Sequence, residues 1–377
     1  MPDAASIHSA CSVNPVKWIG LLGCLDKPTD GVEDYCTFLA RALQDHGTPM
    51  DLVRVRWMEE GWFLGLWELW RRSAGWRGQW VLLQYTALSW SRRGIPFGAL
   101  ATLAILRRRG VRCAVVFHEP SRQSQFSTRW IDRIRGASQD WVIRKLYDRA
   151  SKSIFTVPLE NVAWLHAGDD KAAFIPIGAN IPERVHHRTG PAQAGKVKTV
   201  IVFGVSDSPE AAAPEVNVIS AVMLEACKAL RKLRLVVAGR GALEAGELFR
   251  KAFQGRDIDL VVHGVLAAEQ ISDEFESADA LLFVRGPITT RRGSAMAGIA
   301  CGVPIVGYRG PEVSSMLEAA GVEWCTWQDR ESLARGLIRV LSDPQRWTEL
   351  QERNLEVQRN YLSWNRIAER FHEVLAP

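Results

Sequence analysis

Apolar and polar positions along this chain repeat in one order: a short apolar or β-branched run, a polar turn, then an amphipathic stretch. In the first half the apolar runs fall at 17–25, 50–57, 80–85, 112–118, 153–157 and 172–177. The intervals between them carry helical spacing. In 32–45, for example, Tyr35, Phe38, Leu39 and Leu43 recur at i, i+3 and i+4 steps. Strands that are apolar throughout, separated by helices, predict a parallel sheet covered on both faces. The pattern stops at 182–198, a polar stretch with His186, His187, Gly190, Pro191 and Gly195 that reads as a linker. A second series then begins, with strands expected at 199–205, 233–238, 260–265, 280–284, 304–308 and 323–326. After Trp327 the pattern is helical to the end. The last stripe, Trp364, Ile367, Phe371 and Leu375, is apolar along one side and needs a partner surface.

This layout predicts an α/β protein of two Rossmann-like, doubly wound domains that face each other across a cleft. The expected boundaries are 1–181, a linker at 182–198, 199–360, and a terminal helix at 361–377. The length of 377 residues agrees with two domains. A composition of 47% hydrophobic and 24% charged residues excludes general disorder. No apolar run reaches the roughly 20 residues of a membrane-spanning helix, and the first residues lack a basic segment followed by an apolar one, so no secretory leader is expected. The seven cysteines are scattered and include no C-x-x-C pair, which favours a reducing, cytoplasmic setting over a disulfide framework.

Charge adds a direction. The net charge is +5, but residues 1–180 hold 23 Lys and Arg against 17 Asp and Glu, while the remainder is nearly balanced. A basic first half suits an anionic partner, either a phosphate-bearing substrate or a membrane surface, and equally an arginine-rich solvated surface. The stretch from Trp57 to Arg93 carries Trp57, Trp62, Trp67, Trp70 and Trp90 among Arg71, Arg72, Arg92 and Arg93. Its core, GWFLGLWELWRR, is apolar over most of a helix's circumference and suits either core packing or peripheral contact with a membrane. Nucleic acid is not expected, since no binding module is present.

Candidate chemistry lies where polar residues end predicted strands, because that edge of a doubly wound sheet faces the ligand crevice. The turn 26–35 leads through Gly31 into a helix whose N-terminus could hold an anion or a hydroxyl-rich group. His118 and Glu119 end the fourth strand as a titratable pair, one suited to orient a hydroxyl and the other to accept a proton. Arg291, Arg292, Gly293 and Ser294 open a helix with the donors that a diphosphate needs: guanidinium forks, a glycine permitting close approach, a hydroxyl and backbone N–H groups. Gly239-Arg240-Gly241 follows another strand at the same edge. Asp257 and Asp259 read as a solvated turn, and no cluster has metal-ligand spacing.

In order and spacing, several of these segments resemble the GT-B-fold glycosyltransferases, in particular the retaining, nucleotide-sugar-dependent family four. The Gly31-Val32-Glu33 turn resembles that family's amino-terminal glycine loop, and Phe117-His118-Glu119 its strand-end histidine. Phe174-Ile175-Pro176-Ile177-Gly178-Ala179-Asn180 is similar to its I-P-x-G-x-(N/D) segment. Phe203-Gly204 and Ala238-Gly239-Arg240-Gly241 are similar to the donor domain's first two strand ends, and Ala300-Cys301-Gly302-Val303-Pro304-Ile305-Val306 to its A-x-G-x-P-V-V segment. The resemblance implies a glycosyltransferase that takes a nucleoside-diphosphate sugar in the C-terminal domain and a carbohydrate or lipid-linked acceptor in the N-terminal one. It implies no metal or other cofactor, and a last helix that docks on the N-terminal domain. Gly31, Gly204, Arg240, Arg291, Arg292, Gly293 and Ser294 would hold the donor, and His118 and Glu119 would stand at the reacting sugar. Two departures stand out. Thr289 and Ala297 occupy the places of a usual glutamate pair, and Val205 to Glu210 lacks the usual Arg and Lys. These leave a non-catalytic sugar- or nucleotide-binding descendant, or a nucleotide-sugar epimerase, as alternatives. A lipid-linked acceptor would put the protein at the inner face of a membrane.

Overall fold

The computed structural model describes residues 17–24, 31–120, 130–166, 168–182 and 197–376. Its first half runs Trp18–Leu22 (β1), Gly31–Asp45 (α1), Met50–Arg54 (β2), Trp57–Arg72 (α2), Trp80–Tyr85 (β3), Phe97–Arg108 (α3), Arg112–Phe117 (β4), Trp130–Arg149 (α4), Lys152–Phe155 (β5) and Ala172–Phe174 (β6). The second half runs Lys198–Phe203 (β7), Pro209–Leu230 (α5), Leu233–Ala238 (β8), Gly246–Phe253 (α6), Ile258–Val262 (β9), Ala268–Ser277 (α7), Ala280–Phe283 (β10), Gly293–Ala300 (α8), Ile305–Tyr308 (β11), Ser315–Ala319 (α9) and Val322–Cys325 (β12). Three helices close the chain: Arg330–Ser342 (α10), Pro344–Val357 (α11) and Trp364–Leu375 (α12).

Each half is a six-stranded sheet, ordered β2-β1-β3-β4-β5-β6 and β12-β11-β10-β7-β8-β9, and every pairing is parallel. The apolar runs are buried as expected: β3 is buried at every position, and so are β1 and β10. Helices cover both faces of each sheet, so each half has two core clusters, one per face. One expectation holds only in part. Asp257 and Asp259 are solvent-exposed and Asp257 precedes the strand, but Ile258 and Asp259 already belong to β9, paired in register with Leu233 and Arg234. Arg234 lies 3.8 Å from Asp259, so the local charge is met across the ladder.

The terminal helix α12 finds its partner on the first sheet. Trp364, Ile367, Phe371 and Leu375 are buried in the cluster formed by Trp18, Tyr35, Leu39 and neighbours. Each such side chain contributes about 1.5–3 kcal/mol by leaving water. Two indole N–H groups set the register: Trp364 donates to the Ala179 carbonyl at 2.8 Å and Trp80 to the Leu375 carbonyl at 2.9 Å. Gly178 makes room for this contact, since a Cβ there would lie 2.7 Å from the Trp364 ring. Further ties cross between the halves: Thr290 Oγ1 donates to the Thr156 carbonyl (2.9 Å) and Asn161 Nδ2 to the Glu312 carbonyl (3.3 Å).

The tryptophan-rich helix α2 is not apolar core all round. Its backbone breaks at Gly61, with φ of 82°. Trp57, Gly65 and Leu69 are buried, whereas Phe63, Leu64 and Trp67 face solvent. No helix among the described residues is long and apolar enough to cross a membrane.

Candidate functional site

In an open parallel sheet a crevice forms at the strand ends where the order of connection reverses. In the second sheet that point lies between β7 and β10, and in the first between β1 and β3. The two crevices face each other. Between them lie two chambers, of about 720 and 440 Å³, that share Gly31, Asn180, Arg291 and Gly293 as a common wall. All nine candidate residues line this space. Gly204, Arg240, Arg292 and Ser294 belong to the larger chamber, and His118 and Glu119 to the smaller. Of the turn at 26–35, residues 26–30 lie outside the described residues. Gly31 opens α1, and its carbonyl accepts a hydrogen bond from Asn180 Nδ2 at 3.3 Å.

Cations dominate the larger chamber. Arg240, Arg285, Arg291 and Arg292 line it, with Asp34 and Asp207 the acidic side chains there. Arg240 lies 3.9 Å from Asp207 and Arg291 3.4 Å from Glu312. Among the described residues no carboxylate is within ion-pair distance of Arg292. Arg292 is exposed overall, yet crowding within the cleft partly desolvates its guanidinium, and Arg285 and Arg291 repel it. Its pKa is therefore pushed down, with Glu215 and Glu312 opposing the shift. Arginines crowded together at a cleft are stabilised by an anion of more than one charge. The first turn of α8, beginning at Gly293 and Ser294, adds N–H groups that no carbonyl within the helix can satisfy. The opposite wall is apolar, built from Phe203, Val265, Leu266 and Ile271.

Backbone geometry brings these groups close. Gly204 ends β7 at φ of 79°. Gly241 has φ of 75°, and a Cβ there would meet the Ser206 carbonyl oxygen at 2.4 Å. Only glycine allows the loops after β7 and β8 to pack so tightly. Glu215 on α5 fixes the first of these loops, accepting from the Ser206 N–H at 3.0 Å and its hydroxyl at 2.7 Å.

In the smaller chamber, His118 Nε2 lies 2.8 Å from Gln84 Oε1, while Gln84 Nε2 donates to the Leu82 carbonyl at 3.3 Å. The Gln84 oxygen is therefore the acceptor and His118 Nε2 carries the proton, which leaves Nδ1 as the acceptor of the neutral ring. Tyr35 packs edge-on against this imidazole, with centroids 5.1 Å apart. Below it, burial and then the charge of Glu119 push the Tyr85 hydroxyl far up, so it stays protonated. Among the described residues no group of three or more His, Cys, Asp or Glu is placed to hold a metal ion.

Three contributors escape a reading of strand-end polar residues. Arg285 follows β10 at the same edge as the others, and that position alone was its signal. Gln84 hides within an apolar strand run. Glu215 sits mid-helix with no local mark of its role.

No protein-family description and no curated protein sequence matches this chain. Solved structures do. A glycosyltransferase from Rickettsia africae superposes with a TM-score of 0.65 at 12% identity, over 96% of this chain and 99% of that one. HepE of Anabaena, solved with UDP and glucose, gives the same score, identity and coverage. A putative UDP-N-acetylglucosamine 2-epimerase from Listeria monocytogenes gives 0.60 at 10% identity, over 94% of both chains. The two parallel six-stranded sheets with flanking helices are the GT-B architecture of these glycosyltransferase neighbours.

Proposed function

We propose that this protein is a glycosyltransferase that moves a sugar from a nucleoside-diphosphate donor to an acceptor held across the cleft. The observation that carries the reading is the convergence of Arg285, Arg291 and Arg292 with the N-terminus of α8 on one chamber, which shares Gly31, Asn180, Arg291 and Gly293 with the chamber of His118. In this reading the diphosphate lies against the arginines, Gly293 and Ser294, so charge developing on the leaving group meets donors already in place. The arginines supply that charge stabilisation in the protein's own side chains, and the reaction proceeds without a required metal. The apolar wall of Val265 and Leu266 receives the base. His118, its Nε2–H held by Gln84, stands beside the reacting sugar and orients a hydroxyl there. Glu119, next along the strand end, accepts from the incoming acceptor. The neighbour bound to UDP and glucose supports a uridine nucleotide as the first donor to test. The likeness to family four favours retention of configuration.

Isothermal titration with UDP, GDP and ADP, with and without magnesium, tests the donor site. Binding to one of them in both conditions is expected; a folded protein that binds none overturns the reading. A second reading, a binding protein without catalysis, is favoured by one feature: the cleft wall carries Ala297 where the resemblance expects an acidic side chain. Donor hydrolysis separates the two. Slow release of nucleoside diphosphate that His118→Ala abolishes marks an enzyme, and nucleotide binding with no release marks a binder. Conversion of the free donor into its sugar epimer, followed by NMR, would instead mark an epimerase.

A further inference from the structure

Several strongly exposed large apolar side chains of the N-terminal domain gather on α2, α3 and α4. Phe63 is 82% exposed and Trp130 72%, joined by Leu64, Trp67, Phe97, Ile131 and Ile134, each about half exposed. In a parallel sheet each helix runs back against its strands, so helix N-termini lie at the strands' carboxyl edge, the edge of the cleft. Phe63, Leu64 and Trp67 follow the Gly61 break in α2, Phe97 begins α3, and Trp130, Ile131 and Ile134 begin α4. These side chains therefore form a rim on the cleft side, not a random scatter.

Contacts make the rim continuous. The Trp62 ring lies over Gly98 so closely that a Cβ there would fall 1.8 Å from it, which joins α2 to α3. Trp62 also stacks on Trp57 with centroids 4.8 Å apart. Phe97 meets Trp141 edge-on at 5.8 Å, and Gln139 Nε2 donates to the Gly94 carbonyl at 2.9 Å, which joins α3 and the turn before it to α4. Between α2 and that turn opens an apolar slot of about 520 Å³, walled by Trp57, Trp62, Leu66 and Phe97 and edged by Arg92 and Arg93. One hydrogen bond ties the wall of the slot to that of the cleft: the Ser89 carbonyl accepts from Trp57 Nε1 at 3.0 Å, and Ser89 lines the chamber of His118.

Exposed apolar patches of this kind mark an interaction surface. Charge selects the partner. The rim carries Arg56, Arg92, Arg93, Arg133 and Arg135 against Glu59, Glu60 and Asp132. Two of these acids are already matched, Glu60 with Arg56 at 3.7 Å and Asp132 with Arg135 at 2.7 Å. Indole rings at the depth of headgroups, flanked by guanidinium groups, fit an anionic lipid surface. We propose that this rim docks the protein on an anionic lipid bilayer, with the slot open to the acyl region and the chamber of His118 turned toward acceptors held in that membrane. The part concerning acceptors rests on the transferase reading; the docking itself does not.

Co-sedimentation with vesicles of phosphatidylcholine, alone and with one-third phosphatidylglycerol, is the test. Binding to the anionic vesicles only, weakening as salt rises, is expected. The double variants Phe63→Ser/Trp67→Ser and Arg92→Gln/Arg93→Gln should each cut the bound fraction about tenfold or more. All four side chains are solvent-facing, so the folded state should persist, and unchanged UDP titration of the same samples verifies it. Wild-type protein left in the supernatant with anionic vesicles at low salt overturns the proposal, as does binding that neither variant weakens. A dimer in solution that Phe63→Ser/Trp67→Ser splits also overturns it, because a second copy then covers the rim. Membrane binding with no nucleotide binding keeps the docking and removes only the transferase reading.

Discussion

Glu323 on β12 is buried, and two arginines close around it. Arg339 donates at 2.7 Å, and Arg346 donates twice, at 3.1 and 3.0 Å. Arg285, Arg291 and Arg292 gather in the same domain with weaker company, their nearest carboxylates being 3.9 Å from Arg285 and 3.4 Å from Arg291. One arginine of each group is shifted, and the two shifts run in opposite directions. Burial works against the charge of Arg346, but hydrogen bonds to Glu323 and Glu349 overcome it and raise its pKa. At Arg292 burial acts first, the neighbouring arginines add to it, and the pKa falls. A guanidinium fork filled by a buried carboxylate holds the fold together. A group left short of carboxylates at a cleft keeps its charge for a ligand. A count of arginines along the chain cannot tell these cases apart.

The largest expected effect comes from emptying the first group. Glu323→Gln leaves two guanidinium groups short of their counter-charge, one of them partly buried, and should cost about 2–3 kcal/mol of stability in urea denaturation. Nucleotide affinity should stay within about twofold, since the groups share no partner. A comparable loss of affinity would mean that the two arginine groups are coupled.

Arg292→Gln should do the reverse. Affinity for the nucleoside diphosphate should fall about 10- to 100-fold by titration, the worth of a charge-assisted hydrogen bond to an anion. Stability should hold or rise slightly, because a desolvated, repelled charge is removed. A marked drop in stability with affinity intact would place Arg292 with the structural arginines.

The smallest effect sharpens the contrast. Glu312 lies 3.4 Å from Arg291 with both side chains partly exposed, so the pair contributes little to the fold, about 0.2–1 kcal/mol. Glu312→Gln should release Arg291 toward the cleft and strengthen anion binding by about two- to fivefold. Weaker binding would show that Glu312 positions Arg291 rather than competing for it.

Much of this was legible beforehand because hydrophobic period depends on neighbours close in sequence. All twelve strands lie where apolar runs end in polar turns, and α12 buries the stripe from Trp364 to Leu375. The position of His118, Gly204 and Arg292 at strand or helix ends was also legible, since in a doubly wound sheet those ends must share one edge. Where the reading stopped, long-range neighbours decided. GWFLGLWELWRR looks equally apolar on every side, yet Gly61 breaks the helix, Trp62 settles on Gly98, and Phe63 and Trp67 are left outside. Asp259 reads as part of a turn until β9 pairs it with Arg234 across the ladder.

The sequence by itself determined two doubly wound domains, their order along the chain, and an edge of each sheet bearing polar and basic residues. Tertiary structure alone decided which of those residues meet. It set Arg285 beside Arg292 and both across from Gly31, gave His118 its proton through Gln84, and enclosed Glu323 between two arginines. The reason is physical. Periodicity is fixed by local backbone geometry and the burial of one face, whereas charge pairing, desolvation and tautomer depend on groups brought together from distant parts of the chain only when the two sheets close on one cleft.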